Sequence, residues 1–237
     1  MQLLQTLLQH MLAVYLVAVA LRSTAPFRRA TPIRGPHWRL SNYWATIKWQ
    51  WAFVAVLLLA MPLGSILGLA EPETANWRAY PQLVFVVVGN IVGGMYGPIV
   101  LAWSHLGFRR RFLAPFAPVQ ALLPITLTER LMWVGVSLTT GICEELMFRG
   151  FALEYLMQQP FSLSFGGSAL ITSVLFGLGH AYQGRRGVLR TMLFGAALCG
   201  LLLLTGSLLF PIVVHTLVNL RIALMPASKR PTPALAR

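Results

Sequence analysis

Long apolar runs are the feature that most limits how this 237-residue chain can fold, and 57% of its residues are hydrophobic. About 20 consecutive apolar residues cross a bilayer as one helix, and in lipid only helices and closed barrels satisfy all their backbone hydrogen bonds. The sequence therefore predicts an all-α fold, a polytopic transmembrane helical bundle of about seven spans, with six to eight as the range. The predicted spans lie near residues 3–21, 50–69, 82–104, 131–153, 164–182, 188–206 and 208–225.

The net charge of +13 follows the pattern of a membrane protein rather than that of a nucleic-acid-binding protein. Basic residues gather in cytoplasmic loops, and here loops rich in arginine and lysine alternate with loops that carry few. This alternation predicts an N-terminus outside the cell and a cytoplasmic C-terminus. We expect an integral membrane protein of a bacterial inner (plasma) membrane, with the lipid bilayer and not nucleic acid as its partner.

Three charged residues lie together deep inside a predicted span: Glu144, Glu145 and Arg149. The other 22 charged residues can be placed in loops, in tails or at membrane edges. A charge at the bilayer centre costs at least about 2.5–3.5 kcal/mol and marks a candidate functional site. Glu145 and Arg149 are four residues apart and can pair on one helix face. Glu144 is then an unpaired carboxylate, which we interpret as a general base or acid.

Two histidines in later apolar runs have a similar local pattern. Phe176 and His180 are four residues apart, and so are His215 and Asn219, so each pair shares one helix face. A single intramembrane histidine is as often a structural residue, hydrogen-bonded to a helix carbonyl, as it is a functional one. Together with Glu144, these residues form a polar set on three apolar helices that a bundle core can gather around one water-filled cavity.

Three chemistries suit this set of residues. In the first, a carboxylate and an imidazole activate a water, while a second imidazole and a carboxamide stabilise the oxyanion of amide hydrolysis. In the second, Glu144, His180 and His215 bind zinc, with water as the fourth ligand, although no H-E-x-x-H motif is present. In the third, Cys143 is a nucleophile, although a buried thiol is inert. We expect the first, with no certain cofactor and zinc as the alternative.

The same residues resemble the three motifs of the CPBP family of intramembrane proteases. That family includes the CAAX prenyl endopeptidases of the Rce1 type and many bacterial abortive-infection-like proteins. The resemblance covers roughly residues 130–225. The matching motifs, in order, are Glu144-Glu145-x-x-x-Arg149-Gly150, Phe176-x-x-x-His180 and His215-x-x-x-Asn219.

The resemblance implies a glutamate-type intramembrane endopeptidase, with a metalloprotease as the alternative. The substrate would be a membrane-associated protein or peptide that is cut near its C-terminus. Glu144 and His180 would activate the water, and His215 and Asn219 would form the oxyanion hole. The residues with implied supporting roles are Glu145, Arg149 and Phe176.

This reading divides the chain into three regions. Residues 1–128 would form variable transmembrane helices and basic cytoplasmic loops, 129–225 a catalytic helical core, and 226–237 a disordered cytoplasmic tail. A transporter or channel would also use intramembrane charges, but such proteins usually contain repeats, and none is visible. A catalytically silent membrane scaffold or immunity protein with the same fold stays open as an alternative.

The predicted spans place Glu144 and His180 at different depths. Glu144 lies about 21 Å from the cytoplasmic start of its span, at 1.5 Å per residue, whereas His180 lies near the cytoplasmic end of the next span. If the two residues share a site, three explanations are open. The helix breaks near Gly135 or Gly141, its span begins later than predicted, or the segment 107–130 contains membrane-embedded structure.

Overall fold

A computed structural model describes residues 2–24, 37–62, 64, 66, 81–158 and 160–226, and every regular element within these ranges is helical. The predicted all-α bundle is therefore confirmed. The α-helices are α1 (Gln2–Thr24), α2 (Trp38–Ala60), α3 (Pro81–Ser104), α4 (Leu106–Leu113), α5 (Leu127–Glu145), α6 (Leu153–Met157), α7 (Phe165–Gly179), α8 (Arg185–Thr205) and α9 (Leu209–Leu220). A π segment, Leu146–Ala152, joins α5 to α6, and 3₁₀ segments occur at Ala114–Leu122, Ala181–Gln183 and Arg221–Leu224.

Several helices are long and apolar enough to cross a bilayer, so the prediction of an integral membrane protein is confirmed. In the described part of the chain, four helices meet this criterion: Leu3–Arg22, Trp38–Ala60, Leu127–Met157 and Arg185–Thr205. Two further apolar helices are shorter, Phe165–Gly179 and Leu209–Leu224. The predicted tail 226–237 lies outside the described residues, apart from Pro226.

The helix α2 begins at Trp38, well before the predicted second span of residues 50–69, and it ends at Ala60. The charges of Arg39 and Lys48 lower the mean hydropathy of residues 38–49, which favours a loop there. In the structure this stretch is the first half of a helix, with Lys48 exposed and Tyr43 buried. The prediction of a loop that extends to residue 49 is therefore wrong.

A capping box fixes the start of α5. Thr126 Oγ1 accepts a hydrogen bond from the backbone N–H of Glu129 at 3.2 Å. In return, Glu129 Oε2 accepts from the N–H groups of Ile125 at 2.7 Å and Thr126 at 2.9 Å, which satisfies donors that a helix start leaves free. Glu129 is 6% exposed, and Arg39 of α2 contacts its Oε1 at 3.3 Å. These two charges thus lie in helices, not in the loops where we expected them.

The long helix that starts with α5 continues to Met157 and contains one irregular turn. The π segment Leu146–Ala152 follows directly on Glu144 and Glu145, and all its side chains are buried. Such segments occur mostly as single turns inside α-helices, frequently at functional sites. The wider turn here carries Arg149 in the protein interior, where it is 1% exposed.

In the structure, Glu144 and His180 lie at the same depth, and α5 is continuous through Gly135 and Gly141. α7 has only 15 residues, about 22 Å at 1.5 Å per residue, and His180 follows its last residue. Glu144 precedes the end of the long helix at Met157 by about 20 Å on the same scale. The loop after Met157 joins the long helix to α7. Measured along each helix from this loop, Glu144 and His180 therefore lie at about the same distance. A helix break and a later start of α5 were wrong expectations.

α5 and α9 lie close together beside Gly141. A Cβ atom at this position would lie 2.0 Å from Thr216 Oγ1 and 2.9 Å from both Cα and N of Thr216. Real side chains do not fit at such distances, and interiors packed at crystal density cannot absorb them without a shift of the backbone. The missing side chain of Gly141 therefore lets α9 come close to α5, one turn before Glu144.

We predict that Gly141→Ala destabilises the fold by about 1–3 kcal/mol, because an overpacked contact with backbone atoms forces the two helices apart. Gly135→Ala on the same helix is the matched control, since its Cβ would meet Ile47 Cδ1 at an ordinary 3.7 Å. That control should be neutral or stabilising by up to about 1 kcal/mol, because alanine favours helix. Thermal unfolding in detergent checks both variants. Equal melting temperatures would contradict the close approach of α9 to α5.

Candidate active site

The carboxylate of Glu144 lies opposite two imidazole rings. Its Oε2 is 4.0 Å from Nε2 of His180 and 3.8 Å from Nε2 of His215. The three side chains come from α5, the end of α7 and α9, so the bundle joins residues that are distant in sequence. Oε2 is buried and has no hydrogen-bond partner within the described part of the protein. The structure thus brings these three predicted residues together, while their catalytic roles stay predictions.

His180 is held by the end of the helix that precedes it. It caps α7 with φ −106° and ψ 20°, in the sparsely allowed region where many active-site residues are found. Its Nδ1 lies 2.8 Å from the carbonyl oxygen of Phe176. Because a carbonyl only accepts, Nδ1 donates, and Nε2 of the neutral ring is an acceptor. That acceptor faces Glu144.

His215 is oriented by a buried carboxylate instead of a carbonyl. Its Nδ1 lies 2.7 Å from Oε1 of Glu145, and an ionised carboxylate only accepts, so Nδ1 again donates and Nε2 of the neutral ring accepts. Oε2 of Glu144 and the Nε2 atoms of the two imidazoles are thus three acceptors that face one another. Separations of 3.8 and 4.0 Å are too long for direct hydrogen bonds, but a bridging water can donate to two acceptors at once.

Behind the imidazoles, Glu145 and Arg149 form an ion pair that is sealed from solvent. Arg149 Nη1 lies 3.0 Å from Glu145 Oε1, and Arg149 Nη2 donates to the carbonyl of Gly195 at 2.9 Å. Their exposed fractions are 0% for Glu145 and 1% for Arg149. The pair follows from the four-residue spacing, but the bond from His215 to the same Oε1 was not predicted. That bond fixes the ring orientation, as an acidic residue does in a catalytic triad.

Phe176 packs between the charged and the imidazole side chains. Its ring centroid is 4.6 Å from Cζ of Arg149, a cation–π distance. It is also 4.8 Å from the ring of His180 and 5.7 Å from that of His215, which stands perpendicular to it. Phe176 is 1% exposed, so it can restrict both imidazoles without polar contact. The supporting role that we expect for it stays a prediction.

Asn219 lies one turn beyond His215 and is bonded to a neighbouring helix. Its Nδ2 donates to Thr140 Oγ1 at 2.8 Å. Thr140 in turn donates to the carbonyl of Val136 at 2.9 Å and precedes Glu144 by one helical turn. The side chain is therefore positioned beside the cluster through Thr140. Its place in an oxyanion hole stays a prediction.

A comparison with protein families gives a match that covers this site. Residues 126–221 match the family model described as "Type II CAAX prenyl endopeptidase Rce1-like". Over this region the chain is similar to the Rce1-like family. The predicted family is thus confirmed, and the matched segment contains Glu144, His180, His215 and Asn219. No curated protein and no solved structure gives a match.

Gln50 lies outside the Rce1-like region and yet reaches the site. Its Nε2 donates to Oε1 of Glu144 at 2.7 Å. It was not predicted, because a span that begins at residue 50 places this side chain at a membrane edge. In the structure it lies in the middle of α2, and a polar residue deep in a spanning helix is itself a functional signal.

Tyr182 packs beside the Rce1-like site in the short segment between α7 and α8. Its ring centroid is 5.7 Å from that of His180. Burial and the nearby Glu144 carboxylate raise the pKa of Tyr182 to about 12, although a hydrogen bond from Gln183 opposes the shift. The hydroxyl therefore stays protonated at neutral pH and can donate a hydrogen bond.

The zinc alternative requires Glu144, His180 and His215 to serve as ligands. Among the residues that the structure describes, no group of three or more His, Cys, Asp and Glu side chains is arranged to hold a metal ion. Tetrahedral zinc with bonds of about 2.0–2.1 Å needs its ligand atoms roughly 3.3 Å apart, closer than those around Oε2. We therefore assign no step to a metal. Cys143, the third candidate, is 0% exposed within the hydrophobic core.

Proposed function

We propose that the protein is an intramembrane endopeptidase that hydrolyses a peptide bond with a water activated by Glu144 and His180. The observation that carries the proposal is the position of Glu144 Oε2, which lies within 4.0 Å of two imidazole nitrogens and accepts no hydrogen bond from any residue that the structure describes. A carboxylate and an imidazole at this spacing can hold one water and accept its proton. The Rce1-like match over the same residues supports a membrane protease.

The proposed reaction needs no covalent enzyme intermediate. A water between Oε2 of Glu144 and Nε2 of His180 gives one proton to the carboxylate while its oxygen attacks the carbonyl carbon of the substrate. The tetrahedral intermediate then collapses as the C–N bond breaks. The carboxylic acid returns its proton to the leaving nitrogen, which departs as an amine, and the substrate keeps a new carboxyl group.

The oxyanion of that intermediate is assigned to His215 and Asn219. Because Nδ1 of His215 donates to Glu145, its Nε2 can donate only when both ring nitrogens carry protons. Asn219 must offer its second amide hydrogen, since the first is bonded to Thr140. A single donor in an oxyanion hole contributes about 10²–10³ in rate.

The family description also supports a substrate class. A CAAX end is a prenylated cysteine followed by two aliphatic residues and one variable residue, and cleavage near such an end fits a site inside a membrane protein. We further propose a bacterial inner membrane, with the N-terminus outside and the C-terminus in the cytoplasm. The alternating arginine and lysine content of the loops supports this orientation.

The full chain in lipid vesicles and two quenched fluorescent peptides test the proposal. The peptides share one CAAX-type sequence, and only one carries a farnesyl group on its cysteine. We expect cleavage of the farnesylated peptide on the C-terminal side of that cysteine, identified by mass spectrometry, and cleavage at least about 10²-fold slower by Glu144→Gln. Equal cleavage of both peptides would remove the prenyl group from the substrate class. If folded wild-type protein cleaves neither, the endopeptidase proposal is wrong.

Two alternatives are decided by the same assay. A catalytically silent scaffold or immunity protein would cleave neither peptide while keeping its fold. A zinc-dependent protease would lose activity in a chelator such as 1,10-phenanthroline and regain it with added zinc. We expect the chelator to leave the rate unchanged, because the ligand spacing does not suit a metal ion.

A further inference from the structure

Gln50 lies in α2, outside the Rce1-like region, and donates a hydrogen bond to Glu144, the candidate base. Its Nε2 lies 2.7 Å from Oε1 of Glu144, a distance typical of a hydrogen bond to an ionised carboxylate. With Oε1 occupied, Oε2 is the oxygen that faces the imidazoles of His180 and His215. A rotation of the carboxylate would break the bond to Gln50 and move Oε2 away from both rings.

The second polar atom of Gln50 has no hydrogen-bond partner among the residues that the structure describes. A carboxylate only accepts, so the amide group that faces Glu144 is the NH₂, and the remaining atom is the carbonyl Oε1. This Oε1 is buried, and no described residue donates a hydrogen bond to it. Unsatisfied buried acceptors are rare in native proteins and call for an explanation. A hydrogen-bond donor on a bound molecule would explain why this acceptor is unsatisfied.

We infer that Gln50 positions Glu144 through its Nε2 and accepts a hydrogen bond from a backbone N–H of the bound peptide through its Oε1. The inference rests on the proposed endopeptidase function. Both polar atoms belong to one planar amide, so a peptide bonded to Oε1 is placed at a fixed distance from the carboxylate. Such placement of a reacting group beside its base is a large part of enzymatic rate enhancement.

The competing explanation is that Gln50 only docks α2 onto α5. The same two helices are also joined by Trp51, whose Nε1 donates to Oγ1 of Thr139 at 3.2 Å. The two hydrogen bonds make a matched pair, since both connect α2 to α5 and only that of Gln50 ends on Glu144. Their removal therefore distinguishes helix docking from positioning of the carboxylate.

The first experiment compares Gln50→Met with Thr139→Val in vesicles, with the farnesylated peptide as the probe. Methionine keeps the side-chain length but neither donates nor accepts here, and valine replaces threonine without its hydroxyl. We expect Gln50→Met to lower kcat about 10–100-fold, the effect of a misplaced reacting group, and Thr139→Val to leave kcat unchanged. Similar losses of kcat in both variants, or none in either, would make Gln50 a docking residue and overturn the inference.

The second experiment tests the contact between Oε1 and the substrate. Farnesylated peptides are made with one backbone amide at a time, outside the scissile bond, replaced by an ester that lacks the N–H. At one position we expect the ester to raise KM about tenfold for the wild type, the cost of leaving a buried acceptor unpaired. The same ester should not change KM for Gln50→Met. Equal effects on both proteins at every position would contradict this contact.

A third measurement requires no activity and separates this inference from the proposed function. Gln50→Met and Glu144→Met, which removes the acceptor of the hydrogen bond from Gln50, are combined in a double-mutant cycle followed by thermal unfolding. The two effects should be non-additive, because the residues share a hydrogen bond. If the effects are additive in a protein that cleaves the probe, the inference about Gln50 is overturned and the proposed function is not. Coupled effects in a protein that cleaves nothing would reject the proposed function, and the substrate contact with it.

Discussion

Glu144→Gln is expected to lower kcat by about 10²–10⁴-fold, the range for loss of a general acid or base, and to leave the melting temperature at or above that of the wild type. The amide oxygen can replace Oε1 and still accept from Gln50. The amide NH₂ then replaces Oε2 and faces the two imidazole acceptors at 3.8 and 4.0 Å. The variant therefore gains a donor where the native carboxylate has none. An inactive protein that is more stable indicates a functional residue at a destabilised site.

The measurement is kcat and KM in vesicles, together with thermal unfolding in detergent. His180→Ala should lower kcat by a similar factor. His10→Gln is the control, because the Nδ1 of His10 lies 2.6 Å from the hydroxyl of Tyr155, away from the site, and its kcat should match the wild type. Full activity of Glu144→Gln would exclude Glu144 as the base.

Glu144, His180 and His215 could be predicted from the sequence because polar side chains inside membrane-spanning helices usually have a function. Glu144, His180 and His215 each interrupt an apolar run, where a polar group is expensive and usually functional. The all-α bundle follows from the same hydropathy, since only helices and closed barrels satisfy the backbone in lipid. The motif order then identified the family, which the match over residues 126–221 confirms.

The contacts between these residues could not be predicted from spacing. The bond from His215 to Glu145 joins positions 70 residues apart, and that from Gln50 to Glu144 joins positions 94 residues apart. Such pairs depend on which helices pack together, and local periodicity carries no information on that. The start of α2 was missed for a different reason, because hydropathy averages over a window and Lys48 lowers that average. Gln50 was therefore placed at a membrane edge.

Glu145→Ala is expected to destabilise the protein by about 3–5 kcal/mol, the range for removing one partner of a buried ion pair. Arg149 is 1% exposed, and without Glu145 its guanidinium keeps the bond to the carbonyl of Gly195 and the contacts with the rings of Phe176 and Phe148, but it loses its anionic partner. The same change frees Nδ1 of His215. Fold stability and imidazole orientation should therefore be lost together, and thermal unfolding of the purified variant checks the size of the loss.

The double variant Glu145→Gln with Arg149→Met separates these two effects. Neither replaced residue is charged, and uncharged replacement of a buried ion pair is often neutral for stability, so the melting temperature should return towards the wild-type value. The kcat should not return, because an amide orients the ring of His215 but does not stabilise its doubly protonated form. We expect kcat to stay at least about 10²-fold below the wild type, as when the acidic member of a triad becomes an amide, with little change in KM. Wild-type kcat in the double variant would show that Glu145 only balances Arg149, and that packing against the rings of Phe176 and Phe194 is enough to orient His215.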